Sequence, residues 1–163
     1  MFDTMYLGDG VGLAANQVGL PFQVFVMNAS ADRTKTEDEF VFINPVIVKK
    51  FGGFEEEEEG CLSFPGIHAV VERPVEIIIE GAGLDGKLQQ FKWKGFPARA
   101  VQHEFDHLHG TTFIDRLTPM RLYEIQDDLI ALEKEFETNR QLKIIPPEDE
   151  IAATLEELER KFC

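Results

Sequence analysis

Cysteine is scarce in this sequence, which has only two among 163 residues: Cys61 in the interior and Cys163 at the end. Two cysteines so placed argue against a disulfide framework and for a reducing compartment. No stretch approaches the ~20 apolar residues of a membrane-spanning helix. The start of the chain has neither an apolar signal segment nor a basic transit-like segment. We therefore expect one domain by length, in the cytoplasm, with an organelle stroma or matrix as the alternative.

Basic residues are also few, because 16 Lys and Arg stand against 30 Asp and Glu, for a net charge of −14. This balance disfavours non-specific nucleic-acid binding, since phosphates would be repelled. Residues 119–163 hold 6 basic and 12 acidic residues, so that end of the chain offers no basic surface either. We predict neither a nucleic-acid partner nor a membrane partner.

Two of the four histidines occur in the motif His103-Glu104-Phe105-Asp106-His107. Residues i and i+4 of a helix lie on the same face, so His103 and His107 can bind one metal ion. Glu104 would project beside that ion, where it can take a proton from water. The pattern can also occur by chance on any helix.

The surroundings of this motif favour a buried helix. Pro97 follows Gly95 in a typical first turn, and Gly110 stands where a left-handed C-terminal cap is expected. The same segment supplies apolar residues that would bury the helix: Phe96, Ala100, Val101, Phe105 and Leu108. Buried histidines and acids need partners, and a metal ion provides one.

A catalytic site of this kind usually has three protein ligands, and Glu59-Gly60-Cys61-Leu62-Ser63 contains the only interior cysteine. A free cysteine is most often a small buried apolar residue. Cys61 lies between a glycine and a polar turn, so a thiolate ligand is at least as plausible.

A third segment runs from Gly10 to Gln17, with the sequence Gly-Val-Gly-Leu-Ala-Ala-Asn-Gln. Its glycines allow a substrate or another backbone to approach closely. It is not a nucleotide-binding fingerprint, because the third glycine is missing. The Gln17 amide could stabilise a developing oxyanion, although for the segment taken alone a tight turn before a strand is the more common explanation.

Together and in this order, the three motifs resemble those of the peptide deformylase family over roughly residues 1–118. That family removes the formyl group from the N-terminal methionine of new polypeptides. The resemblance implies that Cys61, His103 and His107 bind one divalent metal ion, with water as the fourth ligand. Fe(II) is the native ion that it implies, with Zn(II) or Ni(II) as alternatives. N-formyl-methionyl peptides and nascent chains at the ribosome would be the partners.

The resemblance also assigns roles to other residues. Glu104 would be the general base and then the acid, and the Gln17 side chain and Leu62 backbone N–H would form the oxyanion hole. The Gly12 backbone would hold the substrate. Residues expected to support the metal ligands are Glu59, Arg73 and Asp106. Candidates for the methionine side-chain pocket are Val11, Phe96, Ala100 and Leu62, for which ordinary core packing is the alternative.

Two other functions stay open from the sequence. One is a deformylase-like metallohydrolase that acts on another N-acyl or peptide substrate. The other is a non-catalytic, metal-stabilised binding module.

We predict an α+β fold in which antiparallel β-sheets wrap around a central metal-binding helix, followed by C-terminal amphipathic helices. Strand-like runs cover residues 22–28, 40–49, 69–80 and 87–93, with Pro74 splitting the third. The polar segment 32–39 and the acidic run 55–59 are expected to be exposed loops. Apolar residues recur with helical spacing from Leu122 to Phe136, and Pro146-Pro147 precedes a second helix.

Residues 1–118 would form the catalytic domain, and residues 119–163 a helical extension that packs on it or forms a homodimer surface. Compared with the family, most of an N-terminal strand and helix is missing, so that Met1–Tyr6 corresponds to the tail of that helix. We hypothesise that the C-terminal region substitutes for it, in which case removing residues 140–163 would lower the melting temperature sharply.

Overall fold

A computed structural model describes residues 1–162, so the expectation that Cys163 takes no part in a disulfide lies outside the described residues. The chain forms five antiparallel strands in one sheet, in the order β1-β2-β3-β4-β5. The strands are β1 (Gly12–Ala14), β2 (Val24–Asn28), β3 (Glu39–Cys61), β4 (Phe64–Ala82) and β5 (Leu88–Lys94). The helices are α1 (Phe2–Leu7), α2 (Phe96–Leu108), α3 (Pro119–Glu124), α4 (Gln126–Gln141) and α5 (Glu148–Phe162). The predicted α+β class is confirmed.

The strands β3 and β4 form a long hairpin that extends well beyond the predicted runs. The prediction of a loop at residues 55–59 is wrong, because these glutamates belong to β3 and pair with residues 69–73 of β4. The prediction that Pro74 splits a strand is also wrong. Pro74 pairs with Phe54 directly after a register shift, and Gly52 and Gly53 have positive φ angles there. A bulge of this kind accommodates a proline without ending the strand.

Helix α2 has the predicted boundaries. It begins after Gly95, contains Pro97 in its first turn and is followed by Gly110, whose φ is 69°. The helix is buried over most of its circumference, since polar residues such as Gln102, Glu104 and Asp106 are buried as well as Val101. Its apolar residues pack against the sheet in a cluster that includes Phe25, Phe42, Ile77 and Ile79.

Helix α4 lies against a different cluster from α2. Ile125 is buried and interrupts the predicted helix, so that α3 ends before it and α4 begins after it. Leu129 and Leu132 of α4 pack on Val71 and Phe113. Helix α5 contacts the main body through Phe162, whose ring lies 6.1 Å from that of Phe22 in a T-shaped arrangement. Among residues 1–162, no helix is both long and apolar enough to cross a membrane.

The burial of α5 bears on the stability that it contributes. None of its described residues is fully buried, and only Leu155 and Leu158 are half-buried. Residues 140–147 contain no buried side chain either. Because a fully buried leucine contributes about 1.5–3 kcal/mol, removing residues 140–163 should cost on the order of 2 kcal/mol. For a chain of this size the melting temperature should then fall by roughly 4–8 °C, measured by circular dichroism. A fall of more than about 15 °C would instead support the sharper effect expected from the sequence.

Candidate metal centre

Three side chains that can bind a metal ion converge at one end of the β3–β4 hairpin. Cys61 is the last residue of β3, and His103 and His107 lie one turn apart on α2. Cys61 Sγ lies 3.1 Å from His107 Nε2, which lies 3.3 Å from His103 Nε2. The three donor atoms all lie within 4.8 Å of one another. The helical spacing and the hairpin turn thus bring one sulfur and two nitrogens to a common centre.

These distances fit a tetrahedral cation. Bonds of about 2.0 Å to nitrogen and about 2.3 Å to sulfur place two donors of one tetrahedral ion roughly 3.3–3.6 Å apart. The separation between the two histidine nitrogens agrees with that range, and the sulfur lies slightly closer to His107. Sulfur and imidazole ligands suit Fe(II), Zn(II), Ni(II) and Co(II).

The His103 ring is oriented by Glu59 on β3. Glu59 Oε2 lies 3.0 Å from His103 Nδ1, so Nδ1–H donates to the carboxylate and Nε2 faces the other two donors. Burial raises the pKa of Glu59, but hydrogen bonds from His103 and Arg73 outweigh burial and lower that pKa to about 2. Burial lowers the pKa of His103, whereas its bonds to Cys61 and Glu59 raise it to about 10.

Cys61 is poised to act as a thiolate. Burial raises the pKa of its thiol, but hydrogen bonds from His103 and His107 bring the pKa down to about 6. The Ser63 backbone N–H also donates to Sγ, at 3.4 Å. A metal ligand must be deprotonated, and this environment favours that form.

Glu104 lies beside the three donors and is buried. Burial raises its pKa to about 7, against the opposing effect of His103 and His107. Within residues 1–162, no group forms a hydrogen bond with Glu104 Oε2. Gly12 leaves space for this carboxylate, because a Cβ atom at that position would clash with Glu104 Oε1. A buried acid with this pKa can both accept and donate a proton near neutral pH.

Gln17 is held next to the sulfur. Its Oε1 accepts from the Ala14 backbone N–H at 2.8 Å, which leaves Nε2 to donate to Ser63 Oγ at 3.0 Å. Nε2 also lies 3.6 Å from Cys61 Sγ. The neighbouring Asn16 donates to the His107 carbonyl and so fastens this turn to α2.

A cavity of about 680 Å³ opens over these groups. Its lining includes most of the residues predicted for the site: Val11, Gly12, Gln17, Glu59, Cys61, Leu62, Phe96, Ala100, His103 and Glu104. His107, Arg73 and Asp106 are buried and do not line the cavity. Leu62 occupies the hairpin turn directly after Cys61, and Phe96 is 43% exposed, which favours a pocket wall over core packing.

Behind the cavity, buried ion pairs connect the elements. Arg73 Nε and Nη2 bond the two oxygens of Glu59 at 2.6 and 2.9 Å, and Arg73 Nη1 bonds Asp106 at 2.7 Å. Arg99 also bonds Glu59, at 2.6 Å, and Glu57 at the cavity rim. Three residues of this region were not predicted from the sequence: Asn16, Ser63 and Arg116, of which Arg116 donates to Asp106. Asn16 and Ser63 adjoin predicted site residues, whereas nothing in the sequence points to Arg116.

The site thus combines cation ligands, a buried proton carrier and an amide donor at one cavity, as in the metallohydrolases. A comparison of sequences then identifies the family. The sequence model of the polypeptide deformylase family matches residues 1–122, so the chain belongs to that family.

Individual relatives agree. Peptide deformylase 1B of the tomato chloroplast is 43% identical over 137 residues, which are 84% of this chain and 49% of that protein. The chain thus spans about half the length of this plant relative. The peptide deformylase of Rhodopirellula baltica is 38% identical over 162 residues, 99% of this chain and 80% of that protein, so its similarity extends through the C-terminal helices.

Solved structures show the same fold. The crystal structure of peptide deformylase 1B of Arabidopsis thaliana in complex with an inhibitor superposes with a TM-score of 0.80. It is 43% identical, and the match covers 85% of this chain and 76% of that chain.

Proposed function

We propose that this chain removes the formyl group from the N-terminal formyl-methionine of nascent polypeptides and releases formate. The observation that carries the proposal is the convergence of Cys61, His103 and His107 beside the buried Glu104. Residues 1–118 of this chain would form the catalytic part, with the strands wrapped around α2 and the C-terminal helices packed outside.

A divalent cation held by the three donors would supply Lewis acidity, which activates water and polarises a carbonyl near neutral pH. We propose Fe(II) as the native ion, as the family resemblance implies, with Zn(II) or Ni(II) as alternatives, since a thiolate and two imidazoles suit all three ions.

Glu104 would accept a proton from the attacking water and then transfer it to the leaving methionine nitrogen. Its burial and raised pKa support both roles. Gln17 Nε2, together with the Leu62 backbone N–H, would donate to the oxygen of the formyl group as negative charge develops there. The side chain of the substrate methionine would occupy the apolar part of the cavity between Val11, Phe96 and Ala100, with the Gly12 backbone holding the peptide.

Formate release from a formyl-Met peptide by anaerobically prepared protein, measured together with the metal content, tests the proposal directly. Metal-loaded protein that releases formate supports it. If metal-loaded protein hydrolyses only other N-acyl peptides, the function is that of a metallohydrolase with a different substrate. If metal-loaded protein hydrolyses none of these peptides, the function is that of a metal-stabilised binding module. Formate release should also be tested on ribosome-bound nascent chains, since we propose these as partners.

Two wider assignments belong to the same proposal. We propose a cytoplasmic location, and the similarity to a chloroplast protein supports an organelle as the alternative. Exposed apolar side chains on α5, such as Ile151 and Phe162, would serve a homodimer.

Replacing Gln17 with alanine should lower kcat by about 10²–10³-fold with little change in KM. The reason is that an oxyanion donor acts mainly in the transition state. Steady-state formate release measures both constants. Gln23→Ala is the matched control, because Gln23 bonds the Leu108 carbonyl outside the cavity. A rise in KM with kcat unchanged would instead assign Gln17 to substrate binding.

A further inference from the structure

Arg116 lies outside the cavity, in the 3-10 turn Phe113–Arg116 that follows α2. Its Nε donates to Asp106 Oδ2 at 2.9 Å, and its Nη2 donates to Asp106 Oδ1. The Arg116 side chain is 41% exposed, whereas that of Asp106 is 6% exposed. Arg116 therefore covers a buried carboxylate and satisfies both of its oxygens in a bidentate geometry.

From Asp106, charged groups alternate inward to the metal centre. Asp106 Oδ2 also accepts from Arg73, whose remaining nitrogens bond both oxygens of Glu59. Glu59 in turn orients the ring of His103. Each group thus fixes the next, from the protein surface to a candidate metal ligand.

The same turn reaches His103 by a second route. The ring of Phe113 stacks on that of His103, with centroids 6.3 Å apart and an interplanar angle of 21°. Arg116 holds this turn against α2 through Asp106, so it supports the His103 ring from its face as well as from Nδ1.

We propose that Arg116 is a positioning residue for the metal centre, which acts through Asp106, Arg73 and Glu59 to hold His103 in its binding orientation. Without Arg116, Asp106 Oδ1 would have no hydrogen-bond partner among residues 1–162. The Asp106 carboxylate could then rotate, and Arg73 would lose its fixed anchor. This inference rests on the metal centre of the proposed function but not on its substrate.

Titration with Co(II) in competition with a chelator tests the proposal, because thiolate-to-cobalt and d–d absorption report both affinity and geometry. Groups bonded directly to a metal ligand, as Glu59 is to His103, typically contribute 10- to 100-fold to affinity. Arg116 acts on Glu59 through Asp106 and Arg73, so Arg116→Gln should weaken Co(II) binding by about 10-fold, the lower end of that range, and alter the spectrum. Arg116→Lys should lie in between, since lysine keeps the charge but not the bidentate geometry.

Arg121→Gln is the matched control. Arg121 bonds the Val70 carbonyl and Glu56 on the β3–β4 hairpin, and among residues 1–162 it forms no hydrogen bond with Asp106, Arg73 or Glu59. The Arg121→Gln substitution should lower the free energy of unfolding. It should not change the Co(II) affinity measured at a temperature at which every variant is folded. Equal weakening by Arg121→Gln would show a general structural effect and overturn the proposal.

A double-mutant cycle with Asp106→Asn tests the route. If Arg116 acts through Asp106, the double variant should bind Co(II) about as weakly as the Asp106→Asn variant alone, whereas additive losses would contradict the route. Wild-type protein that binds no Co(II) would refute the metal centre itself. Wild-type binding matched by Arg116→Gln would refute only the positioning role.

Discussion

Replacing Glu104 with glutamine should lower kcat for formate release by about 10³-fold or more while the bound metal is retained. Glutamine keeps the size of the side chain but cannot accept and return a proton, a function that typically contributes 10²–10⁴-fold. Glu104 is not one of the three converging donors, so cation binding should not depend on its charge. Formate release and metal content, measured on the same preparation, separate the two effects.

Glu72→Gln provides the control, because Glu72 is an exposed glutamate on β4 that does not line the cavity. That substitution should leave both quantities within about twofold. If Glu104→Gln retained most of the wild-type kcat, another group would have to carry the proton. If it lost the metal, Glu104 would belong to the ligand set instead.

Much of the site was predictable because its signals are local. The i, i+4 spacing places His103 and His107 together on any helix, and Gly95, Pro97 and Gly110 mark where that helix begins and ends. Local helix geometry is therefore enough to predict that two of the three converging donors, His103 and His107, lie together. The position of Cys61 next to them depends on a hairpin more than 40 residues away in sequence, and there the family resemblance supplied what spacing could not.

The long strands were less predictable. The acidic run at residues 55–59 has the composition of a solvated loop, yet it pairs in register along β4. Its first four glutamates are exposed on the hairpin, whereas Glu59 turns inward and meets Arg73 and Arg99. The two arginines that Glu59 meets lie 14 and 40 residues further along the chain, so the composition of the run does not record which glutamate is buried. The same reason explains why Arg116 gave no signal in the sequence.

Replacing Arg73 with leucine should lower the free energy of unfolding of the metal-free protein by about 3–5 kcal/mol. Arg73 is 3% exposed and is bonded to both Glu59 and Asp106, which are also buried. The substitution would remove the positive charge that the buried carboxylates of Glu59 and Asp106 share. Urea denaturation of metal-free protein measures this change in the free energy of unfolding, because a bound cation would add its own stabilisation.

Arg33→Leu is the matched control for this loss. The Arg33 side chain is 68% exposed and lies 3.9 Å from Asp9, so the pair should contribute less than about 1 kcal/mol. A similarly small loss for Arg73→Leu would mean that Arg99 and Arg116 alone compensate Glu59 and Asp106. The buried network would then tolerate the loss of its middle member, and the orientation of His103 would have to depend on Glu59 and the helix rather than on connected ion pairs.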